Sequence, residues 1–200
     1  MRPANEDLDK KFAQLLQIFS NEDFIHKRKL AGEVPFFIST FKPSQVNEVE
    51  VNIKSLIKKL DNSGIQVLEI NLFTVVQEIL EKKGVLQKLL DRETSLPKEK
   101  FLSQFTQVLD YKTALVPHIM EKYQKVNHKM MFLTGSGLVY PYLRTHTLLD
   151  NLQPKATQQP TVLFFPGEYT YSPTNGSNLV LFGKASKGYY RAFDLNNYNV

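Results

Sequence analysis

Four short apolar stretches rich in aromatic and β-branched residues alternate along this chain with runs whose apolar residues recur at helical spacing. The stretches are Val34-Pro35-Phe36-Phe37-Ile38, Ile65-Gln66-Val67-Leu68-Glu69-Ile70, Lys129-Met130-Met131-Phe132-Leu133-Thr134 and Thr161-Val162-Leu163-Phe164-Phe165. Between the first two, Val46, Val49, Ile53, Leu56, Ile57 and Leu60 keep a period near 3.6 until Gly64, with Ser44 expected as the N-cap. After the second, Asn71 reads as a cap and Leu72, Val75, Val76, Ile79 and Leu80 form a helical face up to Gly84. Strands that alternate with helices and lack a polar face belong to a mostly parallel sheet covered on both sides. The expected fold is therefore α/β and three-layered, a mostly parallel sheet of four to five strands flanked by helices. It is P-loop- or Rossmann-like in plan, without the phosphate-binding signature.

The remaining segments fit around that frame. Leu8, Phe12, Leu15, Leu16 and Phe19 predict an N-terminal helix, so residues 1–30 read as a helical extension. Residues 84–127 read as an all-helical insertion between strands, with Pro97 opening one helix and Pro117 starting or kinking another. A helix is expected from the glycine turn at 135–137 through Leu152, on the face of Leu138, Tyr142, Leu149 and Leu152. Residues 153–160 and 169–178 read as loops, and 179–182 and 189–193 as edge structure. At 200 residues, the whole is expected to form a single domain, 1–200, burying roughly 70% of the surface of its unfolded chain.

Composition narrows the functions open to such a fold. With no cysteine there is no disulfide framework, thiolate metal site or cysteine nucleophile. The start of the chain is polar and mixed in charge, unlike a secretory signal, and apolar runs stay far below the ~20 residues of a membrane helix. A cytoplasmic location without membrane association is expected. The net charge of +5 is spread thinly: 10 basic and 8 acidic groups lie in 1–60, 10 and 9 in 61–130, and 5 and 3 in 131–200. The densest cluster, His26-Lys27-Arg28-Lys29, reads as a solvated loop, so direct DNA binding is not the expected role.

Ligands of open parallel sheets sit beyond the carboxyl ends of the strands, where Gly135, Ser136 and Gly137 fall. Glycine backbone there would let N–H groups approach an anion. The third glycine of a dinucleotide fingerprint is replaced by Tyr140, and no lysine follows as in a Walker loop. A tight structural turn is the expectation. A degenerate nucleotide site, with Glu168 on a sugar hydroxyl, is the alternative. Thr134 and Leu138 replace the flanking glycines of a hydrolase nucleophile elbow, so no catalytic residue is assigned. His26, His118, His128 and His146 lack metal-ligand spacing, and neither metal nor cofactor is expected. Arg144 or His146 is expected to face the strand ends. Tyr169, Tyr190 and Arg191 are candidate interface residues, as Tyr and Arg are enriched where proteins dock.

Taken in order, the motifs resemble the BrxB family of bacteriophage exclusion (BREX) systems. They are Val34-Pro35-Phe36-Phe37-Ile38, Leu68-Glu69-Ile70-Asn71-Leu72, Phe132-Leu133-Thr134-Gly135-Ser136-Gly137, Tyr140-Pro141-Tyr142-Leu143-Arg144-Thr145-His146, Val162-Leu163-Phe164-Phe165-Pro166-Gly167-Glu168-Tyr169, Leu181-Phe182-Gly183 and Tyr189-Tyr190-Arg191-Ala192-Phe193. The resemblance implies a non-catalytic member of an assembly that excludes phage and marks host DNA by methylation. It implies as partners other BREX components, foremost the PglZ-type protein and then the methyltransferase and ATPase subunits, with any DNA association indirect through the complex.

Overall fold

The computed structural model describes residues 3–27, 33–172, 176–181, 184–188 and 192–198. Helices α1 (Pro3–Phe19) and α2 (Glu22–Ile25) precede strand β1 (Phe36–Phe41), and α3 (Val46–Asn62) leads to β2 (Val67–Asn71). Helices α4 (Leu72–Lys82), α5 (Leu86–Arg92), α6 (Lys98–Val108) and α7 (Val116–Lys125) then precede β3 (Met130–Thr134). Helix α8 (Thr145–Leu152) connects to β4 (Thr161–Pro166). The chain ends with β5 (Glu168–Ser172), β6 (Gly176–Leu181), β7 (Lys184–Gly188) and β8 (Phe193–Asp194).

Five strands form one parallel sheet in the order β2-β3-β4-β1-β8, with Phe36 opposite Thr161 and Val67 opposite Met130 fixing the register. Every residue of β3 and β4 is buried, as strands covered on both faces require. Side chains alternate between two cores. On one face Phe37, Phe132 and Phe164 pack with Phe12 and Phe19 of α1 and with Ile53, Leu56 and Leu60 of α3. Phe132 is the hub of this side, its ring 5.3 Å from Phe19 and 5.2 Å from Phe164. On the other face Ile38, Ile70, Leu133, Leu163 and Phe165 meet Val75, Ile79, Leu115, Ile119 and Leu149.

Local chemistry sets the boundaries. Asn71 ends β2 and caps α4, its Oδ1 accepting from the N–H groups of Phe73 (3.0 Å) and Thr74 (3.3 Å). Gly64 and Gly84 terminate their helices at φ +76° and +63°, where a Cβ would be strained. Pro117 sits in the first turn of α7, directly after a π-helical turn at Tyr111–Leu115 that Asp110 caps.

Several local expectations are corrected. Ser44 does not cap α3: Pro43 opens a 3₁₀ turn, Pro43–Gln45, and Gln45 occupies the position before the helix. No helix follows the glycine turn at once; 136–143 is a series of turns and α8 starts at Thr145. Pro141 has no N–H for a helical bond and follows a cis peptide. Residues 169–178 are not simply a loop, because β5, β6 and β7 make a separate antiparallel sheet with Glu168 opposite Val180. Within 179–182 and 189–193, Leu179 belongs to that second sheet, and Phe193 pairs with Phe37 at the edge of the main one. Residues 182 and 189–191 lie outside the described residues.

If Phe132 organises the α1–α3 face, Phe132→Ala should cost about 3–5 kcal/mol of unfolding free energy, the range for a buried aromatic truncated to alanine. Urea denaturation measures it, and a much smaller loss would contradict the assignment.

Candidate functional site

At the carboxyl end of β3 the chain turns through Gly135 at φ +71°. A Cβ there would stand 2.7 Å from Asn71 Oδ1, the atom that caps α4. One at Gly137 would stand 2.8 Å from Cγ of Pro166. Ser136 is buried and donates to the Phe164 carbonyl at 3.2 Å. The hollow lined by the turn, α3 and Pro166 measures about 30 Å³, space for a water or two. Both glycines thus answer to close packing against neighbouring strand ends.

Arg144 and His146 flank the start of α8. Arg144 is exposed, with its guanidinium carbon 5.3 Å from the centre of the Tyr140 ring. Its backbone is held by Tyr111, whose hydroxyl accepts from the Arg144 N–H at 2.6 Å. His146 is half-buried, and burial pushes its imidazole below the ordinary value of 6.5; Asp150 opposes that shift and Arg144 adds to it. Tyr169 donates to the Ala192 carbonyl at 2.8 Å and ties β5 to the segment entering β8. Tyr190 and Arg191 lie outside the described residues. Glu168 is exposed and stands apart from the glycine turn, on the wall of a larger cleft.

That cleft, of about 610 Å³, lies beyond the carboxyl ends of β1 and β4. It is lined by Asp7, Leu8 and Lys11 of α1, by Thr40 to Pro43 and Gln45, by Gly167, Glu168 and Val180, and by Asn196. The helix leaving β1, α3, packs on one face, whereas the chain leaving β4 turns to the other, where Leu179 of β6 joins the core. The strand order therefore reverses here, the kind of position where open α/β sheets hold ligands. Lys11 Nζ donates to the Thr40 carbonyl and, at 2.7 Å, to Asn196 Oδ1, while Asn196 Nδ2 donates to Thr40 Oγ1 at 2.7 Å. Burial lowers the Lys11 ammonium pKa from its ordinary value, and the Asp194 charge partly offsets this. Of these residues the sequence singled out Glu168 alone. Lys11, Thr40, Lys42 and Asn196 are scattered over nearly the full chain and share no spacing motif.

A second charged cluster joins α4 and α7, with Glu78 within 2.7 Å of His118 Nε2 and 2.8 Å of Lys122 Nζ. Burial works to raise the Glu78 pKa, but hydrogen bonds from Lys122 and His118 prevail and hold it below the usual carboxylate value. The cluster pins two helices of one layer. Among the described residues no three His, Asp or Glu side chains are placed to hold a metal, and no helix is long and apolar enough to cross a membrane.

The fold and its cleft define a three-layer α/β protein with a parallel sheet open at its carboxyl end. The family described as BREX protein BrxB matches residues 68–195. The chain is 34% identical over 200 residues to a BREX protein BrxB of Bacillus cereus (strain H3081.97), covering 98% of each. It is 26% identical over 188 residues to a BREX protein BrxB of Escherichia coli O9:H4 (strain HS), covering 94% of this chain and 91% of that one. No solved structure matches. This chain belongs to the BrxB family, and so to the components of BREX anti-phage defence systems.

Two outcomes follow from the site geometry. Gly135→Ala combines left-handed strain with displacement of the Asn71 cap and should cost about 2–3 kcal/mol. Gly64→Ala, at a similar φ with open space around it, should cost only about 1 kcal/mol; equal losses in urea denaturation would refute the packing role. The folded chain protonates His146 less readily than the unfolded chain does. Its contribution to stability is therefore present above pH 6.5 and lost as the pH falls through the lowered value. Unfolding followed from pH 7 to 5 should show a shallower decline for His146→Gln than for the wild type, and identical slopes would contradict the shift.

Proposed function

We propose that this chain is a non-catalytic adaptor of a BREX complex, a rigid α/β domain through which phage exclusion and host DNA methylation are supported by binding other components. The foremost partner in this reading is the PglZ-type protein. DNA is reached indirectly through the complex, in the cytoplasm. The observation that carries it is likeness over nearly the full chain to proteins named BREX protein BrxB. The relatives share the whole folded unit and not an isolated motif.

Two physical features support the reading. The basic excess is diffuse, which disfavours a dedicated DNA footprint. The carboxyl end of the sheet also presents side chains of kinds enriched at interfaces, Phe73, 44% exposed, and Arg144, exposed beside Tyr140, with Leu138, 49% exposed, adding apolar area. Tyr169, Tyr190 and Arg191 remain interface candidates in this proposal, on the C-terminal side.

Affinity capture of the tagged chain from cells expressing the whole BREX gene set tests the proposal. The PglZ-type protein should be retrieved with it, and Phe73→Asp combined with Leu138→Asp should reduce capture by about tenfold, the equivalent of about 1.4 kcal/mol, while the circular dichroism spectrum stays unchanged. Retrieval of no other BREX component would sink the adaptor reading.

A further inference from the structure

We propose that the cleft between α1 and the carboxyl ends of β1 and β4 is a binding site for a small anionic ligand, its phosphate or carboxylate group seated against the Lys11 ammonium and Lys42, with Glu168 accepting a hydrogen bond from a ligand hydroxyl. The cleft arises from a mismatch of strand lengths. β1 runs for six residues, but its outer neighbour β8 runs for two and pairs only as far as Ile38. Beyond Ile38 no strand among the described residues covers β1 on that side, and side chains bridge the gap, Lys11 from one end of the chain and Asn196 from the other. The connection leaving β4 enters the β5–β6 hairpin and not a covering helix, so Gly167, Glu168 and Val180 make a wall and leave the hollow open.

The chemistry of the lining fits an anion with an organic body. A volume of about 610 Å³ lies within the roughly 300–1,000 Å³ of small-molecule sites, which are mostly apolar with a few placed polar groups. Leu8, Phe41, Pro43 and Val180 supply the apolar part. An ammonium has three N–H donors, and Lys11 gives one to the Thr40 carbonyl and one to Asn196 Oδ1, so among the described residues the third has no protein acceptor. The nearby acid, Asp194, keeps its charge beside Lys11, while its Oδ1 accepts from the Asn196 N–H and its Oδ2 from Asn197 Nδ2. Asp7 and Glu168 also line the cleft, but both are exposed and screened by solvent, whereas Lys11 is half-buried. Among the described charged residues that line the cleft, Lys11 alone is withdrawn from solvent, Lys42 being exposed like the two acids. The site is separate from the glycine turn and its occupancy does not depend on the adaptor reading.

Amide NMR of the ¹⁵N-labelled full chain tests this with three probes titrated into the millimolar range: inorganic phosphate, adenosine monophosphate and succinate. Saturable shifts should cluster at Thr40, Lys42, Gly167 and Asn196, and the probe that binds tells phosphate from carboxylate recognition. Lys42→Ala should weaken the bound probe by about tenfold, the size of one charge-assisted hydrogen bond. Lys11→Met should abolish binding; Lys42 and Glu168 are exposed, so their variants keep the test valid if Lys11→Met does not fold. Glu168→Gln should weaken adenosine monophosphate, which carries hydroxyls, and leave inorganic phosphate unchanged. Absence of saturable shifts with all three probes, shifts scattered away from the cleft, or affinity unaltered by Lys42→Ala would each overturn the proposal, and would leave Lys11 as a cap for the β1 carbonyl.

Discussion

A parallel strand with no polar face has to be covered twice, and this chain has two such strands side by side. Every side chain of β3 and β4 is withdrawn from water, so burial of one face alone would leave Phe132 and Phe164 or Leu133 and Phe165 in solvent. Each such aromatic or aliphatic side chain stabilises the fold by about 1.5–3 kcal/mol when fully buried. This demand explains the layout. Helices α4 to α8, drawn from the long central part of the chain, supply one layer. On the other, α3 is joined by α1, whose Phe12 stacks on Phe164 and whose Phe19 meets Phe132. The N-terminal helix is thereby part of the core.

The same layout determines what the carboxyl end of the sheet can offer. Where β2 and β3 end, their loops pack on each other: Asn71 needs Gly135 beside it, and Gly137 lets Pro166 close in. Where β1 and β4 end, the short β8 and the detour through a small antiparallel sheet leave a cleft among the described residues. One end of one sheet thus carries a closed turn, an exposed group with Phe73, Leu138 and Arg144, and an open cleft with a lysine inside. Membership of the BrxB family places this surface in a BREX defence component, and the proposed adaptor role assigns it to partners.

Much of the frame was legible because burial on both faces writes itself into composition. Residues 130–134 and 161–165 have almost no polar positions, and Asn71 ahead of Leu72, Val75, Val76 and Ile79 announces a cap and a helical face. The small sheet was less visible. Glu168 to Ser172 alternate polar and aromatic residues, a weaker signal than an apolar run, and Asn175-Gly176, a dipeptide favoured in hairpins whose glycine opens β6, was the available clue. The delayed start of α8 turned on Pro141, which apolar spacing alone does not register. The cleft was illegible for a topological reason: its lysine, threonine and asparagine stand 29 and 156 residues apart in sequence, and only the closure of the two chain ends over β1 brings them together.

Hydrogen–deuterium exchange, recorded on the chain alone and within the assembled complex, tests the central claim most directly. The account predicts slow exchange throughout β3 and β4 in both states, because both faces stay buried. It predicts new protection on assembly in the loops of the carboxyl end, at 72–74 and 135–144. Protection confined to the opposite end of the sheet, or fast exchange in β3 before assembly, would contradict it.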